Sequence, residues 1–241
     1  MTQSAQATMA ETAPLLDGTP GVFADWASDQ RTFKNTPWGK AMMWIFLLSD
    51  TFIFSCFLIS YGTVRMSTTI PWPNPSEVFA LTVAGNHVPL LLIAIMTFVL
   101  ITSSGTMALA VNYGYRKNKM VTFWLLLATA LLGAMFVGMQ AFEWTKLIVD
   151  EGVRPWANPM GAPQFGGIFF MVTGFHGTHV SIGVLFLAIM AVKVVRGKLD
   201  REEPGFMTGR KQDYGMVEIM GLYWHFVDLV WVFIFAVFYL W

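Results

Sequence analysis

The chain is short of charge and almost without cysteine. Only 12% of its 241 residues are Asp, Glu, Lys or Arg, against about 25% in soluble domains, and the two signs cancel to zero net charge. A neutral chain has no electrostatic footprint for nucleic acid. The single cysteine, Cys56, excludes an intrachain disulfide and any metal site built on several thiolates. The first 37 residues hold no apolar segment of signal-peptide length, so no cleaved leader is expected. Glycine-rich phosphate loops, nucleophile elbows, HExxH and CxxCH are all missing. No apolar run is a second copy of another, which weighs against transporters built from inverted halves.

What remains is 55% hydrophobic. Five apolar runs punctuated by turn residues predict an all-α, polytopic membrane bundle of five transmembrane helices. They cover about 38–64, 88–111, 121–149, 166–192 and 217–241, each long enough for a bilayer core of about 30 Å at about 1.5 Å rise per residue. Pro89 would fall in the first turn of the second span, where proline is tolerated. Gly133, Ala134 and Gly138 suggest a close-packing patch on the third span, and Thr102, Ser103, Ser104, Gly105 and Thr106 another on the second. Residues 1–37 read as an N-terminal arm, either docked along the membrane surface or a loose tail. Residues 38–241 form the membrane domain. With the N-terminus in the cytoplasm, twelve Lys and Arg fall in cytoplasmic segments and only Arg65, Lys146 and Arg154 outside. That asymmetry predicts a cytoplasmic N-terminus and an external C-terminus.

Polar groups inside these spans are the candidate chemistry, because a titratable group at membrane depth is costly and turns toward protein or water. Asp50 sits in the first span, Glu143 in the third, His176 and His179 in the fourth, and His225 and Asp228 in the fifth. His176 and His179 are three apart and share one helix face. That spacing suits a metal pair in some bundles. With few histidines and no cysteine cluster, the expectation is hydrogen-bonded side chains and no metal. Glu143 and the two histidines come to comparable depth, within about 6 Å at helical rise, and are expected in one buried cluster. Asp50 is either a proton relay or a neutral, hydrogen-bonded acid; Ser49 and Thr51 are its immediate polar neighbours. His225 and Asp228 are expected to pair. Glu218, near the inner end of its span, could snorkel.

Two long motifs add more. F-F-M-V-T-G-F-H-G-T-H-V (169–180) and G-L-Y-W-H-F-V-D-L-V-W (221–231) resemble the signatures of subunit III of haem-copper oxidases. So do M-Q-A-F-E-W (139–144), Glu218 and W-I-F-L-L-S-D-T-F-I-F-S (44–55). The chain resembles the short, five-helix bacterial form of that family. Asp50 stands where cytochrome c oxidases commonly have Glu, and in this it is similar to quinol oxidase members. The resemblance implies an accessory, non-catalytic subunit of a proton-pumping terminal oxidase in a bacterial plasma (inner) membrane. It implies no redox centre here, with haem and copper in partner subunits I and II. It further implies bound phospholipid, with Lys193 near a lipid head group and Glu218 as a second lipid-site residue, and a supporting role in proton uptake. A cytochrome c oxidase is the expected host ahead of a quinol oxidase. An accessory subunit of a nitric oxide reductase and a stand-alone transporter are the rival readings.

Overall fold

The structure is a computed structural model that describes residues 38–83, 86–199 and 214–241. The arm at 1–37, and that part of the basic loop between the fourth and fifth spans from 200 to 213, lie outside the described residues.

Among the described residues, five helices are long and apolar enough to cross a membrane: α1 (Trp38–Ser67), α3 (Leu91–Tyr115), α4 (Lys119–Val149), α5 (Gln164–Val195) and α6 (Gly215–Phe235). The last closes with a π turn, Ala236–Leu240. Each begins or ends within a few residues of where the apolar pattern places it. The short α2 (Pro75–Val78) starts where the Asn74 side chain accepts the Ser76 amide and proline occupies the first turn. At α4, Asn118 plays the same capping part through the Val121 amide.

One element departs from the pattern expected of the sequence. A two-stranded antiparallel ribbon, β1 (Ala80–Val83) and β2 (Asn86–Pro89), precedes α3. Pro89 therefore ends a strand and does not open a helix. α3 starts after Leu90, whose left-handed φ of 57° turns the chain out of the ribbon. The all-α bundle thus carries a small β attachment.

α3 packs along α4, α4 along α5, and α6 lies against both α3 and α5, while α1 touches chiefly α6. The core of this bundle is Trp224. Its ring fills space left by Gly133 on α4 and Gly183 on α5, where an added Cβ would come within 2.5 Å and 2.8 Å of it. Its indole N–H donates to Ser103 Oγ on α3 at 2.9 Å. One residue thereby ties four helices. Of the expected glycine patch only Gly133 takes part; Ala134 and Gly138 face outward. The hydroxyl face of α3 splits similarly. Ser103 and Thr106 turn inward, Thr106 to Thr129 at 2.8 Å, while Thr102 and Gly105 are exposed. α1 is the peripheral element: 17% of its apolar window is buried, against 50% for the last span.

Candidate functional site

Asp50 enters the bundle because the inward stripe of α1 runs Leu47, Asp50, Phe54, Tyr61, a helical repeat of 3, 4 and 7 residues. It is 3% exposed. Facing it from α5 is His179, whose Nε2 lies 3.5 Å from Asp50 Oδ1. The other ring nitrogen, Nδ1, is 2.8 Å from the Phe175 carbonyl. A carbonyl only accepts, so Nδ1 carries a proton and donates it. Nε2 is then the nitrogen presented to the acid. One proton can lie between Nε2 and Asp50 Oδ1, whichever group holds it, while Asp50 Oδ2 has no hydrogen-bond partner among the described residues. Tyr223 on α6 donates to the His179 carbonyl at 2.9 Å, so α1, α5 and α6 meet at this point. Ser49 and Thr51 do not join in. Their hydroxyls donate to the carbonyls of Phe46 and Leu47, each at 2.7 Å.

His176 occupies a different niche. It is 1% exposed, stacked on Trp231 at 5.4 Å between ring centroids, with Phe136 and Phe54 set edge-on at 5.9 and 6.3 Å. Neither ring nitrogen has a hydrogen-bond partner among the described residues. Glu143 occupies a third. Gln140 Nε2 donates to its Oε2 at 2.6 Å, and the Tyr239 hydroxyl donates at 3.2 Å to Oε1. A small pocket lined by Val78, Phe79, Leu92, Ile93, Lys146 and Leu147 reaches Glu143.

The single cluster of His176, His179 and Glu143 is therefore divided in the structure. Residues three apart on an α-helix differ by about 60° around its axis. That is enough to send His179 to α1 and His176 into the aromatic box beside α4 and α6. The expected hydrogen bonding of His176 is not made by any described side chain. Tyr239 and Tyr223, which complete the two outer niches, are invisible to sequence reasoning. Neither stands at a spacing in its own helix that marks it.

His225 and Asp228 are likewise joined through a third party. Ser104 Oγ on α3 lies 2.5 Å from His225 Nδ1, and the same hydroxyl is beside the Asp228 carboxylate. Neither Asp228 oxygen makes a hydrogen bond of good geometry among the described residues. Glu218 is held by two helices: Lys40 Nζ of α1 on Oε1, and the Tyr115 hydroxyl of α3 on Oε2 at 2.5 Å. Lys193 lies in the last turn of α5, partly exposed. His87 lies in β2. No three His, Cys, Asp or Glu residues gather to hold a metal ion among the described residues.

Five membrane-length helices, inward acids paired with imidazole or phenol, and the two long motifs on α5 and α6 together describe one kind of protein. Residues 30–241 match the family described as cytochrome c oxidase subunit III. The chain belongs to that family. Among its relatives are the "Probable quinol oxidase subunit 3" of Staphylococcus aureus (strain USA300), 32% identical over 213 residues, and that of Staphylococcus saprophyticus, 30% identical over 213 residues. Each alignment covers 88% of this chain and 92% of the relative. The chain is accordingly an accessory subunit III of a haem-copper oxidase, a multi-pass protein of the bacterial plasma membrane that associates with other oxidase subunits.

Proposed function

We propose that this subunit supports proton uptake by the oxidase core while carrying no redox group itself, haem and copper residing in subunits I and II. The observation that carries this reading is the Asp50–His179 contact: a buried acid and an oriented imidazole, at mid-membrane depth on the most peripheral helix. Such a pair holds a proton without exposing a lone charge to hydrocarbon. It lies on the inner side of α1, the helix whose outer face is open to subunit I. The test is the pair of variants Asp50→Asn and Asp50→Leu, followed by oxygen consumption, protons pumped per electron and subunit retention in membranes. Asn keeps shape and hydrogen bonding, so assembly and most oxygen consumption are expected to survive while pumping falls. Leu strands His179 Nε2 and is expected to harm assembly, at about 1–3 kcal/mol for an unsatisfied buried group. Abolished oxygen consumption in a fully assembled Asn variant would make Asp50 an obligatory carrier and contradict this reading.

The Lys and Arg asymmetry supports a cytoplasmic N-terminus. Lys40, Glu218, Tyr115 and Lys193 then mark the cytoplasmic end of the bundle. Glu218 commits both oxygens within the chain, so its part at a lipid site is to fix the Lys40 ammonium at head-group level. Lys193 is the candidate contact for a phospholipid phosphate.

A second reading concerns the electron donor. The relatives are described as quinol oxidase subunits, and Asp50 agrees with that branch. A quinol oxidase is therefore the favoured host, in place of the cytochrome c oxidase expected from sequence. Purification through this chain, followed by donor assays with quinol and with reduced cytochrome c, separates the two.

A further inference from the structure

We propose that the groove between α3 and α6 is the seat of a transmembrane helix from another subunit of the oxidase, one that carries a hydrogen-bonding side chain at mid-membrane depth. The proposal rests on the subunit III reading. Ser104 stands in the middle of α3, and His225 and Asp228 in the middle of the last span, Gly215–Leu240. Ser104 and His225 are partly exposed, so this polar group opens at the surface of the bundle instead of closing inside it. Asp228, 7% exposed, lies just beneath, with both oxygens buried and short of well-formed hydrogen bonds. The rim is low on the α3 side: Gly105 is exposed, and nothing stands within 4 Å of where its Cβ would be. Ile101 and Leu229 flank the groove as exposed apolar contacts, 56% and 54% exposed.

Hydrocarbon tails neither donate nor accept hydrogen bonds, so lipid leaves this group unsatisfied. A lipid head group lies too far away, about half of a 30 Å core. A second copy of this chain across a two-fold axis would set the same His225–Ser104 pair against itself, like against like. A helix from a different subunit, bearing a hydrogen-bonding partner for the partly exposed His225 and apolar neighbours for Ile101 and Leu229, meets every requirement, with Asp228 beneath holding the Ser104–His225 pair in place. At the Lys40 end, the Lys40–Glu218–Tyr115 clasp fixes α1, α6 and α3 together and holds the groove in shape.

The experiment places a photoreactive p-benzoylphenylalanine at Ile101 or at Leu229 in the full chain, within the assembled oxidase in native membranes. Both positions are expected to crosslink to the same transmembrane segment of one partner subunit. His225→Phe is expected to lower that yield several-fold while the chain inserts at the normal level, and Asp228→Asn to preserve it better than Asp228→Leu. Lipid-sized adducts alone, a dimer of this chain, or an unchanged yield in His225→Phe, each in a complex that still contains haem, would overturn the groove assignment. A tagged chain that brings down no haem at all would instead overturn the oxidase reading beneath it.

Discussion

At Trp224 a single side chain decides whether four helices close. Gly133→Leu or Gly183→Leu puts side-chain atoms where the indole lies. Both are expected to block assembly of the bundle, measured as loss of the chain from detergent-solubilised, size-fractionated membranes. Ser103→Ala leaves the Trp224 N–H without its acceptor and is expected to lower stability by about 1–3 kcal/mol, read from thermal unfolding in detergent. The same scale shows how far sequence reaches. Asp50, Glu143 and the four interior His and Asp residues stand out because charge is rare in an apolar run. Their partners do not stand out, since partners come from other helices. His179 belongs to Asp50 and not to Glu143, because a difference of about 60° around one helix selects the neighbour. Tyr239 reaches Glu143 from 96 positions away in sequence, and an aromatic among many apolar residues leaves no pattern to find it by.

At the level of elements, the five spans are readable because a run of about 20 apolar residues suits a bilayer and little else. The ribbon before α3 is not. A-L-T-V-A-G-N-H-V-P is too short and too apolar to separate from the start of a span, and Pro89 suits a helix start as well as a strand end. α1 is the element most dependent on contacts beyond its own chain, being the least buried. Its tie to the bundle at the Lys40 end is the Glu218 clasp, in which both side chains of the ion pair remain partly exposed at 29% and 27%. Glu218→Gln is therefore expected to cost less than about 1 kcal/mol in thermal stability, as partly screened pairs do. Its larger effect is expected on α1 itself, seen as faster proteolysis at the N-terminal end of that helix. A loss of several kcal/mol would show that the clasp is desolvated in the assembled membrane protein.

At the scale of the molecule, the described residues form a four-helix core with a fifth helix laid along one side, and their interior polar groups are distributed in separate niches. Under the proposed reading, the buried Asp50–His179 pair is the niche through which the subunit adjusts proton supply to a neighbour. The decisive measurement is the number of protons pumped per electron, followed over time, in oxidase purified with this subunit and in the same oxidase stripped of it. With the subunit, pumping is expected to persist through sustained turnover. Without it, oxygen consumption should begin normally while pumping falls and activity decays. Equal pumping and equal endurance in the stripped enzyme would contradict a role in proton uptake and leave the subunit as scaffold alone.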